Sequence, residues 1–145
     1  MTVAIDGPAG AGKSTIAKLV AKDFNLMYKD TGAMYRAITY LAQNKNIKPS
    51  DIEELCTLIN SISMYFKDDK IIVNGKDLSE QIRNPNISNN VSLYASIPEV
   101  RTLLVDIQKN LASKYEVVMD GRDIGTVVMP NAPFKFFLTA TPEIR

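Results

Sequence analysis

The sequence predicts an α/β fold: an open parallel sheet flanked by helices, with a small antiparallel β insert outside the parallel core. Three observations carry this. Short apolar runs of strand length alternate with stretches of helical periodicity, a glycine-rich segment at 7–12 joins the first run to the first periodic stretch, and two turn signals interrupt the alternation in mid-chain. The chain has 145 residues, of which 46% are apolar, enough for one domain with a buried core.

Residues 2–6 read as a β-strand, and the stretch after the glycines is helical, with Ile16, Leu19, Val20 and Phe24 as its apolar face. A brief strand at 26–28 follows. Asp30 or Thr31 then caps a helix whose positions Met34, Ile38, Leu41 and Ala42 share a face, and residues 44–48 end it. Ser50 and Glu53 have the spacing of a capping box, which predicts a third helix burying Ile52, Leu55, Ile59 and Ile62. At 63–78 the pattern changes: Met64-Tyr65-Phe66, a polar turn at 67–70, Ile71-Ile72-Val73 and the hairpin dipeptide Asn74-Gly75 predict consecutive hairpins. The Asn- and Ser-containing stretch 84–90 is expected to lead back to the core. Pro98 then opens the most periodic helix, with Val100, Leu103, Leu104, Ile107 and Leu111 on its apolar side, expected against a sheet. The runs 116–120 and 134–138 read as central parallel strands. The expected organisation is a core at about 1–62 and 96–145 with an insert at about 63–95.

Composition removes several classes of chemistry. Lys plus Arg number 17 against 16 Asp plus Glu, a net charge of +1, so no broad field draws the chain to a nucleic acid polymer or a membrane. Any anion site must be local. The single Cys excludes an intramolecular disulfide, and the lack of His excludes His-based nucleophilic triads and the common zinc sets. The first apolar run is too short for a signal peptide or a membrane span, so a cytoplasmic location is expected.

Gly7-Pro8-Ala9-Gly10-Ala11-Gly12-Lys13-Ser14 matches G-x-x-x-x-G-K-[ST] between a strand and a helix, the context this phosphate-binding loop requires. Its backbone amides converge on phosphate oxygens, the helix N-terminus adds a positive end, Lys13 supplies a mobile cation, and Ser14 offers a hydroxyl to Mg²⁺. The implied ligand is a nucleoside triphosphate held by residues Gly7 to Ser14 and Thr15. A turn that merely joined strand to helix would leave Lys13 and Ser14 unexplained.

Arg36 falls in the first turns of the second helix, and Asp120-Gly121-Arg122-Asp123 follows an apolar run, at the strand end where open α/β sheets bind ligands. A guanidinium fork suits phosphate, and Asp120 has the position of a Walker B acid near Mg²⁺. Surface ion pairs would also account for both arginines.

The phosphate loop, D-T-G-A-M-Y-R-A at 30–37, the hairpin insert ending in Ile82-Arg83, N-V-S before I-P-E-V-R, and D-G-R-D-I-G-T-V-V-M-P at 120–130 occur in that order. In this the whole chain resembles the bacterial cytidylate kinase family of P-loop nucleoside monophosphate kinases. The resemblance implies a P-loop NTPase-type sheet, with the insert as the nucleoside-monophosphate-binding region. It implies transfer of the γ-phosphate of ATP to CMP or dCMP, with Mg²⁺, and Lys13, Arg36 and Arg122 as the catalytic cations. Thr31, Arg36 and Arg122 would hold the phosphate and sugar side, and Ser92, Arg101 and Asp123 would face cytosine. An Arg and a carboxylate complement the acceptors and the amine of that base and mismatch uracil. From its spacing alone Arg101 is better explained as a solvated residue, and Ser92 as a turn residue.

The family continues beyond position 145 through an arginine-bearing lid, a final strand and a helix, so those parts are expected to be absent here. The complete enzyme is expected to be monomeric, and a shortened chain to expose apolar faces and self-associate. Two other readings stay open: a nucleotide-binding chain without turnover, and a P-loop kinase for another small acceptor. Tyr65, Phe66 and Cys56 are expected in the core rather than in a site.

Overall fold

Among the described residues, four strands form one parallel sheet. The computed structural model describes residues 2–7, 12–67, 70–114, 117–121 and 124–137. The strands are β1 (Thr2–Asp6), β2 (Met27–Asp30), β6 (Val117–Gly121) and β7 (Phe134–Phe137), in the order β2-β6-β1-β7. Register runs Thr2 to Val117 and Asp6 to Gly121 between β1 and β6, and Met27 to Val117 and Asp30 to Asp120 between β2 and β6. The carboxyl ends of β1, β2 and β6 therefore lie side by side, with Asp6, Asp30 and Asp120 at or next to those ends.

The chain divides into two compact units, residues 1–31 with 107–145, and residues 32–106. In the first, Val3 and Ile5 of β1 and Val118 of β6 form a core with Ala17 and Ala21 of α1 (Lys13–Phe24), and Val20, Leu26 and Tyr28 pack against it. The expected apolar face of α1 is corrected here. Val20 is half-buried, but Ile16, Leu19 and Phe24 are 40%, 53% and 60% exposed. Small residues add little to a hydropathic period, yet Ala17 and Ala21, four apart, let the helix approach the sheet most closely.

Strand β7 is also not central among the described residues. Within them it is an edge, paired only with β1, and Phe134, Phe136 and Phe137 stay exposed. An apolar run of strand length cannot by itself distinguish a central from an edge position.

In the second unit, α2 (Thr31–Asn44) buries Ala33, Met34, Ala37, Ile38 and Ala42, close to the expected face. The capping box does not form. Helix α3 (Ile52–Ser61) has Asp51 at its N-cap position, and the Asp51 carboxylate instead accepts a hydrogen bond from the Lys48 amide at 2.9 Å. Its buried residues are Leu55, Leu58 and Ile59, whereas Ile52 is exposed.

The hairpins form as expected: β3 (Met64–Lys67), β4 (Lys70–Val73) and β5 (Lys76–Asp77) make an antiparallel sheet. Positive φ at Asn74 (50°) and Gly75 (80°) is the geometry of a type I′ turn. Alternation splits the aromatic pair, burying Phe66 and exposing Tyr65. Cys56 is half-buried.

The stretch expected to be a connection is instead helix α4 (Pro85–Ala95), after a 3₁₀ turn at Gln81–Arg83. Asn84 caps it by accepting from the Asn86 amide, with Pro85 in the first turn, and Tyr94 anchors it by donating to the Ile47 carbonyl at 2.7 Å. A polar composition conceals this helix, whereas the Asn-Pro start announces it. Helix α5 (Pro98–Lys114) buries Val100, Leu104 and Gln108. No described helix is long and apolar enough to cross a membrane.

Candidate active site

The phosphate-loop segment is bracketed by Gly7 and Lys13, and the Lys13 ammonium donates to the Gly7 carbonyl at 2.6 Å, tying its two ends together. Pro8, Ala9, Gly10 and Ala11 lie outside the described residues. Gly12 precedes α1 and accepts the Ile16 amide at 3.1 Å, while Ser14 and Thr15 occupy exposed positions in the helix's first turn.

Asp120 is the centre of the described site. It is 3% exposed, a depth at which a carboxylate is rare unless paired. Oδ2 accepts a hydrogen bond from the Tyr28 hydroxyl at 3.1 Å, while Oδ1 has no hydrogen-bond partner. Burial, reinforced by the like charge of its strand neighbour Asp30, pushes the carboxyl up to about 6, against the pull of the Tyr28 hydrogen bond and the Lys13 charge. The Lys18 ammonium stands 5.7 Å from the centre of the Tyr28 ring. Lys13, Asp30 and Tyr28 thus all act on Asp120 at one end of the sheet.

The other sequence-derived positions are spread over both units. Thr31 is buried in the first, its hydroxyl donating to the Asp120 carbonyl at 2.8 Å. Arg36, half-buried on α2, exposed Ser92 on α4 and exposed Arg101 on α5 belong to the second. Arg122 and Asp123 lie outside the described residues.

Sequence reasoning missed three participants: Tyr28, Asp30 as a charge rather than a cap, and Asp6. The carboxylate of Asp6 accepts the amides of Ile124 at 2.6 Å and Gly125 at 2.8 Å, at the start of a π-helical turn spanning Ile124–Val128. Its place at the carboxyl end of the strand that leads into the glycine loop was the available signal.

The donor set fits a magnesium ion. An orphaned buried carboxylate oxygen on Asp120, next to a second carboxylate, is a hard anionic ligand, and Ser14 carries a hydroxyl in the first turn of the helix. Among the described residues no group of three or more His, Cys, Asp or Glu could hold a metal alone. Mg²⁺ usually takes one or two protein carboxylates and completes its shell with nucleotide oxygens and water.

A parallel sheet whose first strand runs through G-x-x-x-x-G-K-S into a helix, with a buried acid at the end of the neighbouring strand, defines a P-loop nucleotide-binding protein. The family can be stated more closely. The cytidylate kinase profile matches residues 3–145, and the chain belongs to that family. It is 88% identical over 143 residues to a cytidylate kinase of Clostridium tetani, covering 99% of this chain and 63% of that protein. It is 65% identical over 145 residues to a cytidylate kinase of Clostridium acetobutylicum and 62% to one of Clostridium botulinum, covering all of this chain and 67% of each relative. The chain thus spans somewhat under two thirds of the C. tetani relative and about two thirds of the other two.

Proposed function

We propose that the protein transfers the γ-phosphate of ATP to CMP or dCMP. The observation that carries the reading is the meeting of Lys13, Asp120 and Asp30 at the carboxyl end of a parallel sheet, directly beyond a phosphate-loop sequence. The names of the relatives supply the acceptor base.

The chemistry asks for positioning and for neutralisation of charge. A monophosphate oxygen is already anionic, so no base is needed to activate it. In keeping with this, the carboxylate of Asp6 is committed to two backbone amides. Lys13 moves with the triphosphate and balances charge that builds on the transferred group. Arg36 and Arg122 are assigned to the acceptor phosphate, Thr31 to its neighbourhood, and Ser92, Arg101 and Asp123 to cytosine. Ser14 and Asp120 would hold Mg²⁺, which when bound supplies charge neutralisation at the phosphates. Gly7 to Thr15 form the ATP site. The same reading makes the protein a cytoplasmic monomer in its full-length form, with small nucleotides rather than nucleic acid or membrane as partners.

The test is turnover of CMP with ATP and Mg²⁺ by the full-length protein, beside UMP and AMP as competing acceptors. CDP formation with CMP favoured over both supports the reading. Faster use of UMP or AMP overturns the acceptor assignment, and nucleotide binding without any CDP leaves a binding protein.

A further inference from the structure

Asp6 holds one short stretch of chain in two independent ways. As a strand residue it is in register with Gly121, the last residue of β6. As a side chain it accepts the consecutive amides of Ile124 and Gly125, one on each carboxylate oxygen. One residue therefore anchors both flanks of positions 122–123, more than a hundred residues away in sequence. The next residue, Gly7, accepts the Lys13 ammonium. Two adjacent residues of β1 and its exit thus hold the flanks of the acceptor segment and the lysine of the donor segment.

The arrangement is closely fitted. Hydrogen bonds from amides to a carboxylate are charge-assisted, and two parallel ones fix orientation as well as distance. Ile124 and Gly125 are buried, and a β-carbon at Gly125 would stand 3.1 Å from Asp6 Oδ2, so a side chain there would push the carboxylate away. Such a short π-helical turn gains little from its own backbone bonds, and its start is held by the Asp6 side chain.

We propose that Asp6 is a positioning residue for the acceptor: it holds Gly121 in register and the Ile124 and Gly125 amides by its side chain, and acceptor binding through the intervening Arg122 and Asp123 depends on that hold. The proposal rests on the reading of Arg122 and Asp123 as acceptor-binding residues. It assigns Asp6 no role as a base, because both of its oxygens accept hydrogen bonds from the main chain.

The experiment compares Asp6→Ala and Asp6→Asn in the full-length protein, measuring KM and kcat with CMP and UMP, calorimetric affinity for ATP, and thermal stability. Asp6→Ala is expected to raise KM for CMP by about ten- to a hundredfold, the worth of one or two charge-assisted hydrogen bonds, and to shrink the preference for CMP over UMP. The ATP Kd should move by less than about threefold, because the hydrogen bond from Lys13 to Gly7 does not involve the Asp6 side chain. Asp6→Asn, which keeps one acceptor oxygen, should fall between, with kcat within about tenfold of wild type.

A kcat loss of about a thousandfold in Asp6→Asn with KM unchanged would show a base and overturn the proposal. So would an unchanged CMP KM and selectivity in Asp6→Ala, or equal losses of CMP and ATP affinity that track a lower Tm. If Asp6→Ala does not fold, Asp6→Asn decides through hydrogen exchange: faster exchange at Ile124 and Gly125 with a raised CMP KM supports the clamp, and faster exchange with CMP KM unchanged rejects it. A wild-type protein that makes no CDP sinks the functional reading itself, and this proposal with it, before any variant is compared.

Discussion

The hydroxyl of Thr31 donates to the main-chain carbonyl of Asp120 at 2.8 Å, bonding the first residue of α2 to the end of β6. The fit leaves no space at the next residue, since a β-carbon on Gly121 would stand 2.2 Å from Thr31 Oγ1. Gly121→Ala is therefore expected to destabilise the protein by about 1–3 kcal/mol through overpacking. Adding Thr31→Ala removes the obstructing oxygen and should recover part of that loss, the positive φ of residue 121 (158°) keeping the rest. Additive denaturation free energies across the double-mutant cycle would contradict the contact.

Asp120 gives the metal-free protein a specific pH response. Its carboxyl titrates near 6 in the fold, above its unfolded value, so the folded state binds more protons between about pH 4 and 6. Its contribution is then fully present below about pH 4 and is lost as pH rises through 6, leaving a cost on the order of 2–3 kcal/mol at pH 8. With a chelator present, Asp120→Asn should melt higher than wild type at pH 8 and alike near pH 4. Equal melting temperatures at pH 8 would refute the burial argument.

Lys13 makes a sharper catalytic prediction. Lys13→Ala loses the hydrogen bond to Gly7 and the mobile cation of the phosphate loop, so kcat with ATP and CMP should fall by about a hundred- to a thousandfold. The KM for CMP should change far less, and steady-state kinetics that instead put the loss in CMP binding would move Lys13 to the acceptor side.

The start of α4 depends on Asn84, whose side chain accepts the Asn86 amide at 2.9 Å. Asn84→Ala should cost about 1 kcal/mol in chemical denaturation, and Asn84→Asp should cost little, because aspartate caps as well. A neutral Asn84→Ala would mean that Pro85 alone starts the helix.

Phe134, Phe136 and Phe137 are exposed on β7, an edge strand among the described residues. An uncovered edge bearing large apolar side chains favours pairing between copies. The 145-residue chain is expected to self-associate as concentration rises, and Phe136→Lys to reduce this. Sedimentation that shows only monomer at high concentration would set the expectation aside.

Much of the fold was legible in the sequence for local reasons. A strand, a glycine loop and a helix are read from adjacent residues, and Asn74-Gly75 specifies its turn through two positive φ angles. The errors arose where a local pattern has more than one tertiary use. Ile16, Leu19 and Phe24 carry the periodicity of α1, but the sheet packs on Ala17 and Ala21. Ser50 and Glu53 have capping-box spacing, but Asp51 holds the N-cap position. Residues 84–90 are polar enough for a loop, yet a cap and a proline make them helical. In the candidate site, Lys13, Ser14 and Asp120 could be named from their motifs, whereas Tyr28 belongs to no local signature and Asp6 offered only its place at the end of the strand before the glycine loop.

By itself, the sequence determined the phosphate-loop motif, the alternation of strands and helices, and the hairpins, since each depends on residues a few positions apart. Only the tertiary structure decided that Asp120 loses its water beside Asp30 and that Asp6 grips the amides of Ile124 and Gly125. Desolvation and bonds that span about a hundred residues come into being when parallel strands align their ends, and no local pattern encodes that alignment.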